Sequence, residues 1–209
     1  MMRKLMFVVF CVILGAGNAL AQTTDLMITE YVEGSGNNKA LEIYNGTLDV
    51  INLGGYSIER YSNGTTDAVS IALNAVDLQS GAAYVITNLL ADAGLLMLAD
   101  QTDSDINFNG DDALVLAFGG SMVIDSFGRV GEDPGSFWAC ADGNTANHTM
   151  RRLSGVCAGD VDTGDVFDPC DQWTFAPSDV FSGLGDHIAD CGAVANEAMV
   201  WGEFKALFR

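Results

Sequence analysis

The residues best suited to chemistry lie at 103–112, in the order Asp-Ser-Asp-Ile-Asn-Phe-Asn-Gly-Asp-Asp. Asp103, Asp105, Asn107, Asn109, Asp111 and Asp112 carry side-chain oxygens, mostly at alternate positions. Ca²⁺ takes about six to eight oxygen ligands, and a run of this kind can wrap them around one ion. These six residues are the candidate metal ligands, and Ca²⁺ is the one cofactor the sequence suggests. The run is not an EF-hand, because the Glu that closes such a loop is missing and no flanking helices are evident. The same residues have a second use. Asn-Gly-Asp-Asp suits a tight turn into the apolar run that follows, with Asn and Asp side chains capping backbone groups. A second acidic run, Asp160, Asp162, Asp165 and Asp168, reads either as a cation site or as a solvated loop.

No catalytic constellation accompanies these carboxylates. His148 and His187 are the two histidines, and neither sits in a metal-binding motif. A nucleophile elbow and a P-loop are both missing. The chain therefore reads as a non-enzyme. Arg151 and Arg152 could contact an anion, but on so acidic a chain internal ion pairing is the expected use. Trp138, beside Phe137 and after Pro134 and Gly135, is the candidate ligand contact. If exposed, it would stack on a sugar ring or anchor a protein partner. Trp173 reads as core, and Phe167 and Phe181 as plugs beneath loops.

Strands must position these groups. Residues 26–61 alternate apolar and polar side chains around a Gly/Asn-rich loop, which predicts strands with one buried face. Residues 67–73 and 82–87 are further strand candidates, and 89–99 has room for one or two helical turns. Residues 113–118 form a continuous apolar run, as a central buried strand would. Gly119 and Gly120 then mark a hairpin whose partner is 122–130. Residues 149–153 are short and basic, and 173–175 read as the last strand. Closely spaced strands punctuated by Gly and Asn predict an all-β sandwich or barrel.

Composition narrows the setting. Arg3 and Lys4, the apolar run 5–14 and the small residues at 19–21 predict a secretory signal peptide over residues 1–21. The run is too short for a membrane helix, which needs roughly 20 apolar residues. Without it the chain carries seven basic and 28 acidic side chains, a net charge of −21. Such a surface repels phosphate backbones, so direct nucleic-acid binding is not expected. Cys140, Cys157, Cys170 and Cys191 would then be the cysteines left, and four in an exported chain predict two disulfides. Sequence allows three pairings, and the one expected is Cys140 with Cys157 and Cys170 with Cys191, each with its nearest neighbour. A zinc site would want C-x-x-C pairs, which are missing.

Three stretches in order resemble the lamin-tail domain, of the kind bacteria export: ITEYVEGSGNNKALEIYNG with NLGGYSIERYSNG, then NFNGDDALVLAFGGSMVIDSFGRVGEDPGSFW, then NHTMRRLSGVCAGDVDTGDVFDPCDQWTFAPSDVFSGLGDH. The resemblance spans roughly residues 25–187. It implies an Ig-like antiparallel β-sandwich at 25–188 with a binding or scaffolding role and no catalytic residues. Larger members place nuclease activity in a separate domain, so the resemblance also raises an alternative: an accessory to an extracellular nuclease or phosphoesterase, or a weak metal-dependent hydrolase. Residues 189–209 read as a linker and an amphipathic tail, in which Trp201, Phe204 and Phe208 share one helical face. That tail reads either as a peptide that docks a partner or export machinery, or as a helix folded back on the sandwich. Taken together, the sequence predicts a secreted attachment or interaction module, extracellular, surface-bound or periplasmic. Its partner would be a protein or glycan, and no transmembrane anchor is expected.

Overall fold

Apolar alternation builds two facing sheets in the computed structural model, which describes Thr23 and residues 25–191. The expected leader at 1–21 and the expected tail at 200–209 lie outside the described residues. In chain order the strands are β1 (Leu26–Glu33), β2 (Lys39–Asn45), β3 (Ile51–Asn52), β4 (Tyr56–Tyr61), β5 (Val69–Ala72), β6 (Asp77–Leu78) and β7 (Ala83–Asn88). The short helix α1 (Ala93–Leu96) precedes β8 (Gln101–Asp103), β9 (Ala113–Phe118), β10 (Met122–Phe127) and β11 (His148–Arg152). The helix α2 (Pro169–Gln172) leads into β12 (Trp173–Pro177). A six-stranded sheet has the order β12-β11-β1-β2-β7-β8, a four-stranded sheet the order β10-β9-β4-β5, and β3 pairs β6.

Leu26, Ile28 and Tyr31 of β1 and Leu41 and Ile43 of β2 meet Ile58, Leu114 and Leu116 from the opposite sheet. Burial of each such side chain contributes about 1.5–3 kcal/mol. The result is the Ig-like β-sandwich that the sequence predicts. Its pairings are antiparallel except that of β7 with β8. The intervening residues, which hold α1, give the chain the length a parallel crossover needs. Gly119 and Gly120 both take positive φ (61° and 73°), which lets β9 turn directly into β10.

Two bulges break the simple alternation. Leu26, Ile28 and Glu30 have the same parity, so an unbroken β1 would drive Glu30 into the core. The register shifts between Ile28 and Glu30 instead. Tyr31 enters the core in its place, stacked at 4.1 Å on Phe127 and 4.9 Å on Phe108. A second shift, between Val123 and Asp125 of β10, re-aims Asp125. The Asp125 carboxylate accepts the Ile28 N–H at 2.8 Å and pairs with Arg152, so it fastens β10 to β1 and β11.

The expectation of one buried face fails for the central strands of the six-stranded sheet. All residues of β1 and β2 are buried. Leu95 of α1 and Leu184 cover the outer side around Val32, Ala40 and Val85. Gly185 N–H donates to Glu42 at 2.5 Å, and His187 meets Tyr44 edge-on at 4.9 Å. The segment after β12 thus lies across the sheet as a strap and buries Glu30 and Glu42 beneath it.

Candidate functional site

The run at 103–112 leaves β8, crosses the end of the sandwich and enters β9. Its apolar members, Ile106 and Phe108, are fully buried and anchor it to the core. The oxygens around them mostly hold the loop. Asp103 accepts the Asp105 N–H at 2.8 Å. Asp112 accepts the Asn63 N–H at 3.1 Å, the Asn109 N–H at 3.3 Å and the Ser62 hydroxyl at 3.4 Å. Arg60 stands 3.7 Å from the same carboxylate. Asn107 and Asn109 side chains are exposed. Asp111 differs: it is buried and its Oδ1 has no partner. Burial, with Asp133 and Glu33 nearby, pushes its carboxyl up from the usual range. Among the described residues, the one trio of acidic, His or Cys side chains with ligand atoms within 4.8 Å is Cys140, Asp168 and Cys170. The six candidate ligands are therefore neighbours in sequence whose carboxylates do not gather at one point.

Trp138 is not a surface group. It is 5% exposed, and its ring meets Phe167 edge-on at 5.6 Å. Thr145 holds the segment by accepting the Trp138 N–H at 3.0 Å and donating to the Gly110 carbonyl. The indole face expected to stack on a ligand is used for packing.

The cysteines form two bridges with different partners from the nearest-neighbour pairing. Cys140 joins Cys170, and Cys157 joins Cys191, with Cα atoms 5.8 and 5.5 Å apart. The reason is tertiary. Cys140 N–H donates to the Gly143 carbonyl at 2.9 Å in a small hairpin, whose Gly143 lies against the Phe175 ring of β12. That brings Cys140 to α2. Asp190 N–H donates to the Ser154 carbonyl at 2.7 Å, laying the chain's last described residues beside Cys157.

The second acidic run lies over a cavity of ≈ 110 Å³. Asp160, Asp165, Asp168 and Asp171 stand around it, with Ser126, Arg152, Gln172 and Trp173 among the other lining residues. Asp165, Asp168 and Asp171 are exposed and Asp160 half-buried. Asp162 is not in the lining; its Oδ1 accepts the Gly164 N–H at 3.1 Å. Backbone holds the loop in place, since Asp160 N–H donates to Asp125 at 2.8 Å. Gly159 is needed there: a Cβ would strike the Ile124 carbonyl. Sequence reasoning missed Asp125, Ser126, Asp171 and Gln172. A charged residue inside the apolar strand around Ile124 and Phe127 was the available signal, because an interior carboxylate needs a partner.

Arg151 and Arg152 are paired with carboxylates, as expected. Arg152, 4% exposed, grips Asp125 through both Nη atoms, with its Cζ 4.9 Å from the Trp173 ring centroid. Arg151 Nε lies 3.1 Å from Glu30. Even so, burial pushes the Glu30 carboxyl up to about 7. His148 Nδ1 is 2.7 Å from the Ala146 carbonyl. Burial, then Arg152, depresses the His187 pKa. Neither histidine has a nucleophile as a hydrogen-bond partner here.

The two facing sheets and the bulges that rivet them define an Ig-like domain. The Lamin Tail Domain profile matches residues 19–131, and the chain belongs to that family. The match takes in β1 to β10; β11, β12, the second acidic run and both disulfides lie beyond it. No curated relative matches the chain.

Proposed function

We propose that this protein works outside the cell as a non-catalytic binding and scaffolding module that attaches to a protein or glycan partner. The observation that carries this reading is the pair of disulfides. They pin α2 and the chain around Cys191 to neighbouring loops, and so present one loop surface rigidly from the sandwich. Rigid presentation lowers the ordering cost of binding, and such bridges persist in oxidising compartments. No helix among the described residues is long and apolar enough to cross a membrane, which fits a released or surface-held protein. The expected leader supports export.

The test uses the purified exported chain, fluorescently labelled and added to cells of the organism that makes it. Saturable retention on the cell surface, with no cleavage of DNA or phosphodiester substrates, supports the reading. Metal-dependent cleavage lost on changing Asp111 or Asp112 would replace it with the hydrolase alternative. Calcium at the 103–112 run is part of this proposal. Its support is the buried, unpartnered Asp111 Oδ1; the engagement of Asp112 stands against it. An unfolding temperature higher in calcium than in chelator supports the ion, as binding to the native state requires. Equal temperatures remove it.

A further inference from the structure

The strap that follows β12 lies over two carboxylates. Glu30 of β1 and Glu42 of β2 stand opposite each other in the strand pair, 2% and 1% exposed. Among the described residues one cation pairs with them: Arg151 of β11, whose Nε is 3.1 Å from Glu30 Oε2. Glu42 fills both its oxygens, accepting the Thr29 hydroxyl at 2.6 Å and the strap's Gly185 N–H at 2.5 Å. Glu30 Oε1 has no partner among the described residues, and no water reaches it. Ionising such a carboxyl is costly, and a second carboxylate opposite adds to the cost. Burial, against the pull of Arg151 and helped by Glu42, pushes the Glu30 carboxyl up to about 7.

The strap is fastened at its ends and held in its middle by these same side chains. At the front, Asp179 accepts the Ser35 N–H at 2.9 Å and an Asn38 Nδ2–H at 3.0 Å. At the rear, Asp190 N–H donates to the Ser154 carbonyl and the Cys157–Cys191 bridge fixes the next residue. Between these anchors, Ser182 Oγ lies 3.4 Å from Arg151 Nη2. Gly183 sits so close above the ion pair that a Cβ would strike both Glu30 Oε2 and Arg151 Nε. Leu184 and Phe181 pack over the cluster of Val32, Ala40 and Val85. Asp186, His187 and Tyr44 are the other titratable groups at this face. Asp186 adds to the burial that raises Glu42, and His187 packs on Tyr44 with its own pKa depressed, by burial and then Arg152.

We propose that residues 179–190 form a pH-operated cover, which lies closed while Glu30 holds its proton and lifts between its two anchors when Glu30 ionises, with the sandwich still folded. Lifting lets water reach Glu30 Oε1 and uncovers the apolar ledge of Val32, Ala40 and Val85. Lifted, Glu30 returns toward its ordinary 4.5; covered, it keeps its proton up to about 7. Closure is therefore fully favoured below 4.5 and weakens by up to about tenfold per pH unit until about 7. His187 acts with the opposite sign where it protonates, and a Glu30 variant carries the same His187 and cancels it.

The experiment follows amide hydrogen exchange, corrected for the intrinsic rate, in the full exported chain and in Glu30→Gln from pH 5 to pH 8. The amides of Leu184, Gly185 and Asp186 report the cover, and those of β2 report the sandwich. Relative to the variant, the natural protein should lose at least about tenfold of its cover protection across this range, while β2 keeps its own. Three results overturn the proposal: protection of the cover that does not change with pH, an equal loss in Glu30→Gln, or β2 amides that lose protection in step with the cover, which is unfolding of the whole sandwich. Near-ultraviolet circular dichroism checks the fold of the variant. Should Glu30→Gln not fold, the natural protein alone decides: a loss confined to the cover supports the proposal, and a flat or shared profile overturns it.

Discussion

The two acidic runs are alike in composition and opposite in environment. At 103–112 the chain is anchored by Ile106 and Phe108, and Asp112 turns inward to satisfy backbone and side-chain donors from two loops. At 160–171 the side chains of Asp165, Asp168 and Asp171 turn outward around a cavity lined also by Arg152, Gln172 and Trp173. The lesson is that Asp-rich spacing does not distinguish a turn from a site. What distinguishes them is whether the surrounding structure has already supplied donors for the carboxylates.

The largest effect should come from removing the rivet beneath the second run. Asp125→Ala leaves Arg152 buried without its partner and frees the Ile28 and Asp160 N–H groups. Loss of one member of a buried ion pair costs about 3–5 kcal/mol, and urea unfolding should show it. A loss under about 1 kcal/mol, the size typical of an exposed pair, would mean that Asp125 does not tie the second run to the sheets.

Next come the bridges that hold the second run in place. Peptide mapping of the unreduced protein should find Cys140 with Cys170 and Cys157 with Cys191. Cys140→Ser with Cys170→Ser should cost about 2–4 kcal/mol. A map joining Cys140 to Cys157 would break the geometry given for α2 and its cavity.

A smaller effect concerns Glu30, a buried carboxylate only partly compensated. Its Oε2 pairs with Arg151 while Oε1 has no partner, and Glu42 lies opposite across the strand pair. Burial first, against the opposing pull of Arg151, sets its folded pKa at about 7 from an ordinary 4.5. The folded protein therefore holds this proton over a range where the unfolded chain has released it. Its contribution is fully present below the unfolded value and is lost as pH rises through about 7. Thermal unfolding of the natural protein and of Glu30→Gln, compared from pH 4 to pH 8, should show the natural protein losing stability relative to the variant as pH rises. The comparison cancels His187, whose depressed pKa acts with the opposite sign. A constant difference across that range would contradict the burial of Glu30 under the strap.

Most strands were legible because residues 26–61 keep period-two alternation and residues 113–118 form a continuous apolar run. Residues 113–118 read directly as β9, and the Gly119–Gly120 hairpin followed from residue type. The bulges were not legible. Skipping one residue at Ile28 and Glu30 leaves the letters unchanged and reverses their faces. The strap was hidden for a different reason: Glu42 reads as a solvent-facing position, and only the fold of residues 179–187 covers it and Glu30. Disulfide partners depended on where β12 brings Phe175 and where Asp190 meets Ser154, contacts between segments distant in sequence. Trp138 looked like a contact residue because its loop is polar, yet the loop folds its indole inward. The cavity takes lining residues from β10, β11, α2 and the second acidic run, which no local pattern encodes.

The contrast between the two runs is tested most directly by unfolding Asp112→Ala and Asp165→Ala side by side in urea. Asp112→Ala should lose about 1–3 kcal/mol, because it strands buried donors, while Asp165→Ala should stay within about 0.5 kcal/mol of the natural protein, as exposed positions do. Equal losses, or a greater loss at Asp165, would contradict the reading of Asp112 as an anchor for buried donors and of Asp165 as an exposed residue on the cavity rim.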